Sequence, residues 1–196
     1  MSKLVLTEFL EFRTDSDLLT EEERKAVQEG EEIYLAGVMQ RAGATNGNGR
    51  IYPKPILERE VENYQKLVRE GRAVGELDHP DSSVVELKNA SHLVTEIKKD
   101  GDDVVGKIRI LDTPAGQTAI GLLKGGVKLG ISSRGLGSTR NEAGKTIVQD
   151  DFQLVCFDLV SEPSTTGAFM LREGKEPNIF TKADKINRLL NDLVKE

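Results

Sequence analysis

The longest regular alternation of apolar and polar positions has a helical period. Ile56, Leu57, Val61, Tyr64, Leu67 and Val68 recur at spacings of three and four behind Pro53, which predicts an amphipathic helix over about residues 54–70. A second helix is expected from Thr113-Pro114, with Thr113 as N-cap, Ala119, Ile120, Leu122 and Leu123 on the packed side, and Gly125-Gly126 as the stop. Shorter apolar runs read as strands at 32–40, 73–77, 127–133, 145–148 and 152–160. Residues 91–97 and 103–111 form a hairpin that turns at Lys99-Asp100-Gly101-Asp102. Between the first strand and the long helix, residues 42–49 make a Gly/Asn-rich loop. Glu162-Pro163-Ser164 breaks the last strand.

Strands without regular helix alternation, accompanied by two or three helices, define an α+β domain built on a mostly antiparallel sheet or barrel. Three segments divide the chain. Residues 1–31 are an acidic arm, in which Asp15, Asp17, Glu21, Glu22, Glu23, Glu29, Glu31 and Glu32 crowd the stretch 14–32 as a solvated helix or mobile segment. Residues 32–172 hold the core. Residues 173–196 are a linker and a detachable C-terminal helix, with Ile186, Leu189, Leu190 and Leu193 at helical spacing over 184–194.

Composition narrows the chemistry. The 196 residues are 37% hydrophobic and carry a formal charge of -6, which argues against a nucleic-acid binder that must neutralise phosphates. No apolar run approaches the roughly 20 residues that span a bilayer, and the N-terminus is short and acidic for a signal peptide, so a cytoplasmic protein is expected. A single cysteine, Cys156, fits a reducing compartment and reads as an inert core thiol. One cysteine and two histidines are too few for a zinc site, no phosphate-binding glycine loop follows a strand, and no cofactor is expected.

Two segments carry chemistry-bearing groups. Gly130-Ile131-Ser132-Ser133-Arg134-Gly135 presents a hydroxyl pair in what reads as a glycine-framed turn, and Gly75-Glu76-Leu77-Asp78-His79-Pro80 presents a histidine at a strand end. A serine that attacks a carbonyl needs a base for its proton and N–H groups for the oxyanion. Ser132 and Ser133 point to opposite faces of an extended chain, so one of them can face His79. Set against this, His79 could be a loop histidine beside Pro80, and the glycines could be simple turn formers. Arg134 could orient substrate, complete an oxyanion environment, or form a surface ion pair. Glu76 and Glu162 read as ordinary surface acids, His92 as a packed or rim histidine, and Tyr34, Tyr52 and Phe169 as packing residues.

Asn46-Gly47-Asn48-Gly49-Arg50-Ile51-Tyr52-Pro53, the His79 and Ser132 segments, and Asp158-Leu159-Val160-Ser161-Glu162-Pro163-Ser164 follow one another in an order that resembles the tailed-phage prohead proteases, over about residues 33–171. These proteases are more distantly similar to the herpesvirus assemblins, serine proteases that cut scaffold inside an immature capsid. The resemblance implies a distorted, mostly antiparallel β-barrel surrounded by helices, with His79 as base and Ser132 as nucleophile. Assemblins place a second histidine behind the first, where this chain offers Asp150, Asp151 or Asp158. Asp158 is favoured because it interrupts an apolar run, where a carboxylate needs a buried partner. The oxyanion donors are expected among N–H groups near residues 161–164, including Ser161, with Ser133 and Arg134 as further candidates.

The resemblance also implies cleavage after Glu in Leu/Ile-x-Glu sequences, with procapsid scaffold, core and capsid proteins as substrates, homo-oligomerisation, and work in the host cytoplasm inside the assembling procapsid. Leu171-Arg172-Glu173 fits as a self-cleavage site, as do Leu6-Thr7-Glu8 and Leu19-Thr20-Glu21, with Glu173 favoured by its place beside the linker. Two alternatives stand beside the peptidase. A non-catalytic capsid-assembly or tail-tube-like protein sharing the barrel would hold Ser132 far from His79. An unrelated esterase would normally carry the Gly-x-Ser-x-Gly elbow that this chain lacks.

Overall fold

The computed structural model describes residues 4–9, 20–23, 25, 32–80, 82–161 and 169–172, the first and last of these segments by their backbone. The strands are β1 (Leu4–Phe9), β2 (Tyr34–Arg41), β3 (Arg50–Ile51), β4 (Val74–Glu76), β5 (Ala90–Asp100), β6 (Asp103–Ile110), β7 (Leu129–Gly137), β8 (Thr139–Glu142), β9 (Lys145–Val148), β10 (Gln153–Val160) and β11 (Phe169–Arg172). The two long helices are α1 (Lys54–Arg69) and α2 (Pro114–Lys124).

The periodic segments form the elements their patterns predict. α1 buries Ile56, Leu57, Val61 and Tyr64 on one face, and α2 starts where the Thr113 hydroxyl accepts the Gly116 N–H at 3.0 Å. The β5–β6 hairpin turns at Gly101, whose φ of 64° suits a two-residue turn. β1, β3 and β8 are strands that the apolar pattern does not single out. β1 is six residues of the acidic arm paired along β7.

The main sheet runs β1-β7-β11-β2-β6-β5-β4, with β10 on the other edge of β7, and every one of these pairings is antiparallel. A smaller sheet, β3-β9-β8, contains the parallel β3–β9 pair. Among the described residues no ladder closes the main sheet into a barrel. The end of β4 meets β10 through one parallel bridge, Leu77 to Leu159, with the Asp78 N–H donating to the Leu159 carbonyl at 2.7 Å.

The principal core lies between α1, α2 and the sheet, and includes Leu57, Val61, Tyr64, Val94, Ile108, Ala119, Ile131 and Phe157. Tyr64 meets Phe157 edge to face at 5.4 Å, which fixes α1 over β10. Burial of this kind contributes about 25 cal/mol per Å² of apolar surface, so the interior segments of β7 and β10 stand in the most strongly held part of the molecule.

Two local features aim the strands at one another. β10 carries a bulge between Leu154 and Cys156: Leu154 stands opposite Gly135, but Cys156 stands opposite Arg134 and Asp158 opposite Ser132. Because side chains alternate faces, the extra residue at Val155 sets Asp158, rather than Phe157, across from Ser132. The second feature is Gly75, where β4 presses on β10. A Cβ there would lie 2.0 Å from the Phe157 carbonyl oxygen and 2.3 Å from His92 Nε2.

Gly75→Ala should therefore push β4 off β10 and destabilise the fold by about 2 kcal/mol or more, seen as a lower denaturant midpoint at an unchanged slope. A midpoint equal to that of the parent would show that the two strands can separate without cost.

Candidate active site

The site is assembled where β4, β7 and β10 converge. Ser132 lies inside β7, not in a turn, because Gly130, Gly135 and Gly137 are strand residues. At Gly135 the glycine makes room for the Phe152 ring, which a Cβ would approach to 2.4 Å. The two serines take opposite faces, as extended backbone requires. Ser133 is buried, and its hydroxyl has no hydrogen-bond partner among the described residues. Ser132 shares its face with Arg134, two residues on, and with Asp158 across the ladder.

His79 comes from the segment after β4. Asp78 ahead of it has a φ of 66°, a left-handed conformation that Asp tolerates better than most residues. This turn carries the imidazole over the face of β7. There the ring joins two groups distant in sequence: the Nδ1–H donates to Asp158 Oδ2 at 2.8 Å, and Nε2 accepts the Ser132 hydroxyl. An ionised carboxylate can accept and not donate, so Asp158 places the ring proton on Nδ1 and leaves the Nε2 lone pair for the serine. The remote Ser132 expected of a non-catalytic relative is not what is found. The His79 side chain is 18% exposed, while Ser132 is fully buried. The Ser132 oxygen is therefore covered in this structure, while part of the His79 ring reaches the surface.

Asp158 is out of contact with water and surrounded by donors. It accepts the Glu76 N–H at 3.1 Å, Arg134 Nε at 2.9 Å and Nη2 at 3.2 Å, and the Cys156 thiol at 3.3 Å, besides His79. Burial alone pushes its carboxyl up, but the His79 hydrogen bond, the Arg134 charge and the Glu76 N–H together hold it below the ordinary carboxylate value. Burial also pushes the Cys156 thiol up, helped by the Asp158 charge, so this cysteine stays protonated. Asp150 and Asp151 lie elsewhere. Asp150 is on the surface with Arg59, and Asp151 accepts the Ser138 N–H and hydroxyl.

Two readings of the sequence need correction. Arg134 is not a surface residue. It is fully buried behind Asp158, with its remaining donors on Glu76 and on the Ser82 carbonyl, the latter at 2.6 Å. Glu76 is not a solvated acid. It is buried on Arg134 and accepts the Glu86 N–H at 2.7 Å. A signal for it existed, since Glu76 interrupts the apolar stretch 73–77 just as Asp158 interrupts its own strand. Ser161 lies exposed just past β10, and residues 162–164, with Glu162, fall outside the described residues.

His92 is buried in β5, where its Nε2–H donates to the Phe157 carbonyl at 3.0 Å and Nδ1 accepts the Ser91 hydroxyl at 2.9 Å. Tyr34 and Tyr52 are buried, and the Tyr34 hydroxyl donates to Glu32 at 2.6 Å. The Phe169 side chain, Glu173 and the segment 184–194 lie outside the described residues, although the backbone of Leu171 and Arg172 stands in β11 between β7 and β2. Leu6-Thr7-Glu8 is part of β1. Leu19 is undescribed, while Thr20 and Glu23 cap each other and Glu23 accepts from Lys107 at 2.6 Å. Among the described residues no group of three or more His, Cys, Asp or Glu is placed to hold a metal ion, and no helix is long and apolar enough to cross a membrane.

A histidine bonded to both a serine and a carboxylate is an arrangement able to carry out acyl transfer, in proteases and in other hydrolases, and the comparisons give the protease class and its family. The family model described as Prohead core protein serine protease matches residues 13–179, and the chain belongs to that family. It is similar to the Prohead core protein protease of Enterobacteria phage T4, 33% identical over 173 residues that cover 84% of this chain and 82% of that protein. Its fold is similar to that of the bacteriophage T4 capsid assembly protease, gp21, with a TM-score of 0.66 and 28% identity over 82% of this chain and 99% of that one.

Burial lowers the His92 pKa to about 4, against the pull of the Asp158 charge and the Phe157 carbonyl. The folded state therefore binds fewer protons here than the unfolded state, in which an imidazole titrates near 6.5. Its contribution to stability is complete above about pH 6.5 and falls away as pH drops toward 4, by about 3 kcal/mol in total. Denaturant midpoints measured from pH 7 to 4.5 should drop more steeply for the parent than for His92→Gln, and parallel curves would refute this.

Proposed function

We propose that the chain is a serine endopeptidase of phage procapsid maturation, with Ser132 as nucleophile, His79 as general base and acid, and Asp158 as the group that orients and charge-balances His79. The observation that carries this reading is the single imidazole bonded to both Ser132 and Asp158, which lie 53 and 79 positions away in the chain. His79 Nε2 takes the hydroxyl proton as the Ser132 oxygen bonds to the substrate carbonyl carbon, and the imidazolium that forms is held by Asp158. The same proton passes to the leaving amine nitrogen as the peptide bond breaks and an acyl-serine remains. Water, deprotonated by His79, then releases the new carboxylate and restores Ser132. The oxyanion donors are assigned to backbone N–H groups near residues 161–164.

Substrates are taken to be capsid and core proteins of the prohead, as the names of the relatives suggest, cut after Glu in Leu/Ile-x-Glu. Glu173 is assigned as a self-cleavage site, with 173–196 as a removable tail whose helix docks the precursor into the assembling scaffold and 1–31 as an acidic arm. Homo-oligomerisation and action inside the procapsid belong to the same reading. So does a barrel, for which the Leu77–Leu159 bridge between β4 and β10 is the supporting contact.

Ser132→Ala and His79→Ala should each lower cleavage of a peptide containing Leu-Arg-Glu-Gly by about 1,000-fold or more while the fold persists. Turnover within tenfold of the parent in either variant would remove the assigned roles. Mass spectrometry of the incubated chain should find a product ending at Glu173 from the parent and none from Ser132→Ala; its absence from both would exclude Glu173.

A further inference from the structure

Behind the candidate site lies a second layer of charge that the proton transfers above do not use. The Arg134 guanidinium is clasped between two buried carboxylates: Nε and Nη2 lie on Asp158, Nη2 also bonds Glu76, and Nη1 holds the Ser82 carbonyl. Glu76 in turn accepts the Glu86 N–H with its second oxygen. The segment from His79 to Glu86 is thus tied at Ser82 and Glu86 to one buried ion cluster that also touches Asp158.

We propose, building on the peptidase reading above, that Glu76 and Arg134 are positioning residues that set the charge of the site: with His79 neutral the buried cluster carries one net negative charge, and it becomes neutral when His79 takes the serine proton. The arithmetic is Asp158 and Glu76 against Arg134 at rest, joined by imidazolium as the serine attacks. An uncompensated buried charge is costly, so a cluster one positive charge short at rest stabilises the state in which His79 is protonated.

Among the described residues, the other titratable groups buried around the cluster do not supply charge, and the charged ones nearby stand in solvent. Cys156 and Tyr64 are kept neutral by burial, and so is His92. Asp78 is exposed beside His79, and Lys88 stands in solvent with Glu86 beyond Glu76.

Two neutralising substitutions of one ion pair should therefore move the site in opposite directions. Glu76→Gln removes a negative charge, and the midpoint of the His79 ring titration, followed by NMR in a chain with two histidines, should shift to lower pH. Arg134→Met removes a positive charge, and the midpoint should shift to higher pH. Each shift should be about half a unit or more, and the acidic limb of kcat/KM on the Leu-Arg-Glu-Gly peptide should follow it. In both variants kcat should fall about tenfold or more with KM little changed, since neither group meets substrate. Arg134→Lys retains the charge but not the fork, so it should keep the parental midpoint while kcat falls.

A midpoint unmoved in Glu76→Gln, or moved the same way in Glu76→Gln and Arg134→Met, would overturn the proposal. If Arg134→Met does not fold, the downward shift in Glu76→Gln against an unmoved Arg134→Lys decides it. Ser132→Ala separates the two claims: activity surviving that substitution sinks the peptidase reading, whereas an inactive Ser132→Ala beside unmoved midpoints sinks the charge proposal alone.

Discussion

A carboxylate removed from water is the constraint around which this molecule is arranged. Asp158 has no solvent to satisfy it, so each nearby element must deliver a donor: β4 the Glu76 N–H, the segment after it the His79 ring, β7 the Arg134 fork, and β10 the Cys156 thiol. Losing one partner of such a buried pair typically costs about 3–5 kcal/mol, because the remaining charge is left without compensation. The strands converge at this point because a looser approach would leave Asp158 unpaired. The close contact at Gly75 and the left-handed turn at Asp78 are the backbone concessions that permit it.

The parts of the fold that obey local rules were legible in the chain. The spacing of Ile56, Leu57, Val61 and Tyr64 marks α1, Thr113 caps α2, and Gly101 closes the β5–β6 hairpin, each for a reason confined to a few neighbours. His79, Ser132 and Asp158 were legible as candidates because a histidine after a strand, a serine among glycines and an acid in an apolar run are each unusual locally. Their mutual geometry was not. Glycines around Ser132 read as a turn when β7 is seen alone, and only the Phe152 ring, which occupies the space beside Gly135, shows why small residues stand in a straight strand. Glu76 read as a surface charge, and Arg134 as a surface ion pair or a substrate or oxyanion group, for the same reason: each is buried with the other and with Asp158, far away in sequence.

The site has no local existence. Its groups come from residues 76–79, 132–134 and 156–158, and none of the three segments holds a hydrogen-bonded pair of site side chains within itself except Cys156 with Asp158. Chemistry of the kind assigned here appears when β4, β7 and β10 are all in register, so local opening of any one of them dissolves the constellation as a whole. Ser132 is buried beneath a partly exposed His79, so the proposed chemistry carries a further condition, that the cover be displaced while the ladder under it is kept.

The bulge at Val155 shows what kind of information specifies such a site. Were Val155 to take a place in the ladder instead of being bulged out, Phe157 would stand opposite Ser132 and a phenyl ring would occupy the place of the carboxylate, although the sequence would be unchanged. Counting thus matters as much as composition. Along β10 the spacing of side chains works like the teeth of a key, and a shift by a single tooth yields a well-formed sheet with nothing in it for the imidazole to hold.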